Sequence, residues 1–162
     1  MGAGKTTIGR RIAQYYECEF YDSDRVIEER TGVSIPLIFE LEGEEGFRKR
    51  ESDVISDLIT KDNIVLATGG GAVLLEKNRE LMKDSAFIIF LNASLEQLYK
   101  RTSRDKNRPL LQTENPKEKL QNILDERLEI YKSIADLEIV TDNQSINHTV
   151  NNLIKSISNI KN

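Results

Sequence analysis

The chain has 162 residues, 38% of them hydrophobic, which is enough to build one core but hardly two, so we expect a single domain over residues 1–162. Its 23 basic and 27 acidic residues give a formal net charge of −4. The basic residues are scattered along the sequence, which argues against a nucleic-acid binder or a membrane-surface protein. A small polyanionic ligand held by a few placed cations is compatible with this balance.

Membrane spans, disulfides and zinc sites are not expected. The longest fully apolar run, residues 86–91, is far shorter than the ~20 residues that cross a bilayer. The one cysteine, Cys18, has neither a partner for an internal disulfide nor the Cys or His neighbours of a zinc site. Because no apolar signal segment follows Met1, we expect a cytoplasmic protein.

The first part of the chain alternates between helical and extended patterns. In chain order it predicts a helix over 5–16, a strand over 19–22, a helix that follows through 29, a short helix over 35–41, a long helix over 43–60 and a strand over 64–67. Ser23 or Asp24 can cap the second helix. The residues expected to point inward from the long helix are Phe47, Val54, Ile55 and Leu58.

The later part continues the alternation. It predicts a buried strand over 86–91, a helix over 95–102 capped by Ser94, a helix over 117–133, a strand over 137–140 and a closing helix over 147–159. The polar stretch 103–116 holds two of the three prolines, and we interpret it as a lid loop. Strands that alternate with helices predict an α/β fold with a parallel sheet.

A phosphate-binding motif opens the first helix. The P-loop sequence Gly-x-x-x-x-Gly-Lys-Ser/Thr is matched in its second half by Gly2, Ala3, Gly4, Lys5, Thr6 and Thr7. In such a loop backbone N–H groups and the helix dipole meet phosphate oxygens, the lysine adds a point charge and the hydroxyl reaches Mg²⁺. The alternative is a flexible start before a helix.

Acidic residues and glycines follow two of the predicted strands. Asp22 and Asp24 come at the end of one strand, near the carboxyl edge where open α/β sheets bind ligands, although helix capping explains one of them equally well. Gly69, Gly70 and Gly71 follow the next strand. They allow the backbone to approach a ligand closely, and the alternative is a tight turn.

Each of four arginines, taken singly, has the pattern of a solvated surface residue: Arg48, Arg101, Arg108 and Arg127. Their settings differ, however. Arg108 lies in the proline-containing loop, where closure could bring it onto a phosphate. Arg127 and Tyr131 are four residues apart and share a helix face.

Six motifs in order carry a family resemblance: Gly-Ala-Gly-Lys-Thr-Thr at 2–7, Phe-Tyr-Asp-Ser-Asp at 20–24, Phe-Arg-x-x-Glu at 47–51, Gly-Gly-Gly-Ala-Val at 69–73, Arg-Pro-Leu-Leu at 108–111 and Arg-x-x-x-Tyr at 127–131. Over essentially the whole chain, this set closely resembles the bacterial shikimate kinases. The resemblance implies a kinase of the nucleoside-monophosphate-kinase type that transfers the γ-phosphoryl group of ATP to the 3-hydroxyl of shikimate, in aromatic amino-acid biosynthesis.

The family fold is a three-layer α/β/α P-loop kinase with a parallel sheet in the order 2-3-1-4-5 and a mobile lid. Its first strand and the first P-loop glycine would lie before Met1. We therefore expect roughly ten or more further residues upstream, enough for a strand. Without that central strand, the chain is expected to be severely destabilised.

The resemblance also implies the nucleotide contacts. Lys5 and Thr6 would take the phosphates and Mg²⁺, and Asp22 would hold the metal through water. Arg101 would lie against the adenine, and Arg108 would move onto the transferring phosphoryl group. Phosphoryl transfer depends more on positioning and charge neutralisation than on a strong base.

The substrate contacts follow from the same resemblance. Arg48 and Arg127 would grip the carboxylate of shikimate, for which guanidinium forks are well suited. Asp24 would meet the hydroxyls, including the one that attacks, and Gly70 and Gly71 would add backbone contacts. The substrate-binding helical region is expected over about 23–60.

The residues expected to act in catalysis are Lys5, Asp24 and Arg108, and Glu51 is expected to hold Arg48. One alternative is a related small-molecule kinase such as a gluconate kinase, which would lack the contacts suited to a ring with one carboxylate and adjacent hydroxyls. Another is a catalytically inactive nucleotide- or shikimate-binding protein. The expected partners are ATP and shikimate, and the expected state is a monomer.

Overall fold

Helices and strands alternate along the computed structural model, which describes residues 2–103 and 109–161. In chain order the elements are α1 (Lys5–Tyr15), β1 (Glu19–Asp22), α2 (Ser23–Thr31), α3 (Ile35–Leu58), β2 (Ile64–Ala67), α4 (Glu76–Ser85), β3 (Ile89–Asn92), α5 (Leu95–Thr102), α6 (Pro116–Ile134), β4 (Leu137–Val140) and α7 (Ile146–Lys161). Single turns of 3-10 helix occupy Ala72–Leu74 and Pro109–Leu111. The predicted α/β pattern is confirmed. Within the described ranges no helix is both long enough and apolar enough to cross a bilayer.

The strands pair in parallel, as two separate sheets of two strands each. β1 pairs with β2 in a register that joins Glu19 to Ile64, and β3 pairs with β4 in a register that joins Ile89 to Leu137. In the expected order 2-3-1-4-5, β1 and β2 correspond to the neighbouring strands numbered 2 and 3, and β3 and β4 correspond to those numbered 4 and 5. The parallel pairing follows the prediction, whereas the strands described here do not form one continuous sheet.

An apolar groove of about 800 Å³ lies where a central strand of the expected sheet would run. β2 and β3, which belong to different sheets, both line it, together with Ile8 and Ile12 of α1 and Leu153 and Ile157 of α7. Lys5, at the start of α1, also lines the groove. A further strand parallel to β2 would therefore end close to the start of α1.

The cap of α2 differs from the prediction. Asp22 is the N-cap, because its Oδ1 accepts a hydrogen bond from the N–H of Asp24 (3.2 Å) and its own backbone is extended. The expectation that Ser23 or Asp24 caps this helix is wrong. Ser23 is instead buried, and its Oγ accepts a hydrogen bond from the N–H of Gly69.

The two helices predicted over 35–41 and 43–60 form the single element α3 with a kink between them. The kink lies at Gly43, whose φ of 70° and ψ of −175° are not helical. The apolar residues predicted to face inward from the second part are all buried: Phe47, Val54, Ile55 and Leu58. Phe47, Val54 and Leu58 pack with apolar residues of α2, whereas Ile55 belongs to a second cluster beside α4 and α6.

Two other elements differ from the prediction. β3 begins at Ile89 and not at residue 86, because Ala86 ends α4 by donating its N–H to Met82 O, and Phe87 is 46% exposed. α4 itself is not among the predicted elements. Its large apolar residues are the adjacent Leu81 and Met82, which provide no helical repeat.

The groove leads to a prediction about stability. A designed strand-forming segment joined before Met1 should give a larger free energy of unfolding than that of the 162-residue chain. The added segment would pair with the open edges of β2 and β3 and fill the groove. A single large-to-small core change already costs about 2–5 kcal/mol, so we expect a gain of at least that size in urea denaturation.

An extension of equal length composed of Gly and Ser is the matched control, because it adds chain without apolar side chains. It should leave the urea midpoint near that of the 162-residue chain. If the strand-forming and Gly/Ser extensions have the same midpoint, the groove is not a strand position.

Candidate active site

The start of α1 forms a loop suited to phosphate binding. Gly2 and Gly4 have positive φ values of 71° and 88°, which glycine adopts without the strain of a side chain, and Gly4 is the N-cap of α1. The first turn of a helix leaves its backbone N–H groups without carbonyl partners inside the helix, and the helix dipole adds partial positive charge there. Lys5, Thr6 and Thr7 follow directly on α1. The predicted P-loop residues therefore lie together at a helix end of the kind that suits an anion.

Thr6 and Asp22, the two residues predicted to hold Mg²⁺, are in direct contact. Thr6 Oγ1 donates a hydrogen bond to Asp22 Oδ2 over 2.6 Å. Residues 2–103 and 109–161 contain no group of three or more His, Cys, Asp or Glu side chains placed to bind a metal. One hydroxyl and one carboxylate nevertheless suit Mg²⁺, which keeps several waters and is also bound by substrate phosphates.

Gly69 lies where two carboxylates meet. A Cβ atom on Gly69 would overlap Glu51 Oε1 and lie 3.0 Å from Asp24 Oδ1. The N–H of Gly69 donates to Ser23 Oγ over 3.0 Å, and Ser23 is fully buried. The absence of a side chain at this glycine allows carboxylates from α2 and α3 to approach the loop after β2.

Arg48 lies against Gly71 and is held by two carboxylates of its own helix. Its Nη1 donates to Glu51 Oε2 over 2.7 Å, and its Nη2 donates to Glu44 Oε1 over 2.9 Å. A Cβ atom on Gly71 would overlap the guanidinium group. Arg48 is only 8% exposed and Glu51 is 0% exposed, so this is a buried ion pair. The expected contact between Glu51 and Arg48 is present.

Arg127 of α6 is a second buried arginine near this pair, at 4% exposure. Its Nε lies 3.6 Å from the exposed carboxylate of Glu126 and, within the part of the chain that is described, has no hydrogen-bond partner. Glu51 Oε1 is also buried without a hydrogen-bond partner in those same ranges. Polar atoms in this condition are suited to meet a polar ligand.

The charges of this cluster act on one another. Burial raises the pKa of Glu51, Arg48 lowers it in part, and the smaller effects of Asp24 and Arg127 raise and lower it respectively. Burial alone would lower the pKa of Arg48, but Glu51 and Glu44 outweigh that effect and raise it, so Arg48 stays charged. Residues from α2, α3 and α6 thus form a single electrostatic unit.

Arg101 of α5 lies beside the P-loop. Its Nη1 donates to the carbonyl of Gly2 (3.3 Å) and its Nη2 donates to the carbonyl of Thr141 (3.0 Å). Ala3 is buried in the same cluster as Leu98 of α5. Arg101 is therefore close to the phosphate-binding loop, whereas Arg108 and its predicted contact with the transferring phosphoryl group lie outside the described residues.

The site contains contacts that sequence reasoning misses. Ser23 has the pattern of a helix cap but bonds to Gly69, and Glu44 adds a second carboxylate to Arg48 one helical turn away. Tyr131 Oη donates to the carbonyl of Gly70 over 2.5 Å, 61 positions away in sequence. Of these contacts only the one between Glu44 and Arg48 had a local signal, the four-residue spacing of opposite charges.

A P-loop beside a buried cluster of arginines and carboxylates indicates a phosphotransferase whose acceptor is a small anion. The chain belongs to the shikimate kinase family, because the family model for shikimate kinase matches residues 1–158. It is 56% identical to the shikimate kinase of Thiobacillus denitrificans over 146 residues, which cover 90% of this chain and 80% of that protein. It is 51% identical to the shikimate kinase of Nitrosococcus oceani over 161 residues, which cover 99% of this chain and 85% of that protein.

Solved structures agree with the family. A shikimate kinase from Acinetobacter baumannii, determined in complex with shikimate, matches with a TM-score of 0.97 and 45% identity over 99% of this chain and 90% of that one. A shikimate kinase from Bacteroides thetaiotaomicron matches with a TM-score of 0.86 and 31% identity over 98% of this chain and 94% of that one. The predicted family and fold are confirmed, and the gluconate kinase alternative has no support.

The raised pKa of Glu51 predicts how stability depends on pH. The folded state holds the Glu51 proton more tightly than the unfolded chain does, because burial raises this pKa. The contribution of Glu51 to the free energy of unfolding is therefore fully present below the ordinary Glu pKa of about 4.3, and it is lost as pH rises through the raised pKa. Glu51→Gln has no group that titrates at this position, so it should not lose stability in this way. The difference in free energy of unfolding, variant minus unmodified protein, should therefore increase as pH rises.

Urea denaturation at a series of pH values measures this difference. Glu29→Gln, at an exposed carboxyl on α2, is the control for the change of residue type. A constant difference between Glu51→Gln and the unmodified protein across the series would show that burial of Glu51 carries no pH-dependent cost.

Proposed function

We propose that this protein transfers the γ-phosphoryl group of ATP to the 3-hydroxyl of shikimate, which gives shikimate 3-phosphate on the route to aromatic amino acids. One juxtaposition supports this most strongly. Asp22 contacts Thr6 of the P-loop, and Asp24, two residues later, lies at Gly69 beside the buried pair of Arg48 and Glu51. The end of β1 thus joins a phosphate site to a site for a small anion with hydroxyls.

On the phosphate side, the backbone N–H groups at the start of α1 and the Lys5 ammonium group would bind the β- and γ-phosphates. Thr6 and Asp22 would hold Mg²⁺, Asp22 through water. Bound Mg²⁺ would neutralise part of the phosphate charge. Arg101 would contact the adenine, and Arg108 would move with the 103–116 lid onto the transferring group.

On the acceptor side, Arg48 and Arg127 would bind the carboxylate of shikimate. Their burial strengthens such pairing, and Arg127 Nε has no hydrogen-bond partner among the described residues that would compete. Asp24 would orient the attacking hydroxyl and accept a hydrogen bond from it. Gly70 and Gly71 would add backbone contacts, because Gly71 already lies against Arg48.

These proposals share one organisation. The helical region 23–60 would carry most of the acceptor contacts, and the lid would close over the nucleotide, within a single domain over 1–162. The monomeric state and the cytoplasmic location expected from the sequence stay predictions.

The direct test is ATP-dependent turnover. Purified protein is supplied with ATP, Mg²⁺ and either shikimate or gluconate, and the phosphorylated product is identified by mass. We expect turnover with shikimate only, and its loss in Lys5→Ala. A protein that binds ATP and shikimate but forms no product would be an inactive binding protein, which would contradict the proposal.

Replacement of Arg127 should separate the two substrates. Arg127→Ala should raise the KM for shikimate strongly and change the KM for ATP little, because its guanidinium would bind the carboxylate of shikimate and not the nucleotide. Loss of one partner of a buried charge pair costs roughly 2–5 kcal/mol. Since about 1.4 kcal/mol corresponds to a factor of ten, we expect the KM for shikimate to rise by about 30-fold or more. Steady-state kinetics with each substrate varied in turn provide the measurement.

Arg11→Ala is the matched control, because Arg11 is an exposed arginine of α1 that bonds to Asn147, away from the pocket. It should leave both KM values unchanged. If Arg127→Ala raises the KM for ATP and leaves the KM for shikimate unchanged, the two sides of the site are assigned the wrong way round.

A further inference from the structure

Tyr131 connects α6 to the glycine-rich loop through its hydroxyl, which also makes a hydrogen bond with the side chain of Arg127. Its Oη donates a hydrogen bond to the carbonyl oxygen of Gly70 over 2.5 Å. Its ring stacks on Phe90 of β3, with ring centroids 5.1 Å apart and 26° between the planes. The stacked ring leaves the hydroxyl little freedom to move, so the contact has a defined direction.

This hydrogen bond orients a whole peptide group. In a trans peptide, the carbonyl of Gly70 and the N–H of Gly71 point in opposite directions, and no cis peptide occurs in the described part of the chain. The N–H of Gly71 therefore points away from Tyr131. Gly71 is also the residue against which the Arg48 guanidinium lies.

The peptide between Gly70 and Gly71 needs such a contact because both its neighbours are glycines, whose backbone torsions are the least restricted of all residues. The loop on either side is already held. The N–H of Gly69 donates to Ser23 Oγ (3.0 Å), and Asn78 Nδ2 donates to the carbonyl of Ala72 (2.9 Å). Tyr131 supplies the corresponding contact at Gly70, between these two points.

We propose that Tyr131 is a positioning residue for the acceptor substrate: by holding the carbonyl of Gly70, it keeps the N–H of Gly71 directed to the pocket beside Arg48. The inference rests on the proposed function, since it takes this pocket to be where shikimate binds. Rotation of the peptide would replace a hydrogen-bond donor by a carbonyl oxygen. A carbonyl oxygen would repel the oxygen atoms of an anionic ligand.

The hydroxyl is suited to this role at neutral pH. Burial raises the pKa of Tyr131, although the charge of Arg127 one turn earlier on α6 opposes this. The hydroxyl therefore keeps its proton and remains a donor to Gly70. A residue with a raised pKa and a committed proton does not act as a base.

Tyr131→Phe tests the proposal, because it keeps the ring that stacks on Phe90 and removes the hydroxyl that bonds to Gly70 and to Arg127. The amide resonance described below separates the effect at Gly70 from the effect at Arg127. We expect the KM for shikimate to rise about 2- to 12-fold, as for loss of one hydrogen bond, while kcat and the KM for ATP stay within about twofold. Tyr15→Phe, at a 59% exposed tyrosine of α1, is the matched control and should change none of these. An unchanged KM for shikimate, or an equal rise in both KM values, would overturn the proposal.

A second measurement does not depend on turnover. In unliganded protein labelled with ¹⁵N-glycine, the amide resonance of Gly71 should shift or broaden in Tyr131→Phe, while that of Gly32, which ends α2, should stay in place. An unchanged Gly71 resonance would overturn the positioning role whatever the enzyme does. A changed resonance in a protein that does not phosphorylate shikimate would support the peptide contact and count against the proposed function instead.

Discussion

The candidate site is organised around a buried ion pair. Arg48 and Glu51 are 8% and 0% exposed and are joined over 2.7 Å between Nη1 and Oε2. Charges in the interior are tolerated only when they are paired and hydrogen-bonded, and removing one partner leaves the other at a high cost. Space for the pair exists because Gly69 and Gly71 have no side chains that would overlap it. The glycine-rich loop and the charged face of α3 therefore require each other.

The end of β1 links this ion pair to the P-loop. Asp22 and Asp24 are two residues apart at the end of β1, so one reaches Thr6 of the P-loop and the other reaches Gly69. Arg127 approaches the same cluster from α6 and brings Tyr131 to the loop after β2. The residues proposed to bind phosphate and those proposed to bind the acceptor therefore share one edge of the β1 and β2 sheet. The apolar groove runs along β2 and β3, between the two sheets.

The sequence predicts those parts of the structure that depend on residues close together in the chain. The P-loop, the strand over 64–67 and the inward face of α3 follow from spacing within a few residues, and the i, i+3 spacing of Arg48 and Glu51 supports their pairing. Contacts across long sequence separations do not have such a signal. Ser23 has every local feature of a helix cap, yet its partner Gly69 is 46 residues away. The same holds for Tyr131 and Gly70. The helix α4 has no apolar repeat of its own, and Leu81 and Met82 pack into a cluster built by distant parts of the chain.

The central claim is that the buried arginines bind a carboxylate. Calorimetric titration of the protein with shikimate and with its methyl ester, which has the same ring and hydroxyls but no charge, tests it most directly. We predict that shikimate binds more tightly than the ester by on the order of tenfold or more, the value of a hydrogen bond to a charged group. Equal affinity for the acid and the ester would contradict the account, because the arginine cluster would then have no part in substrate binding.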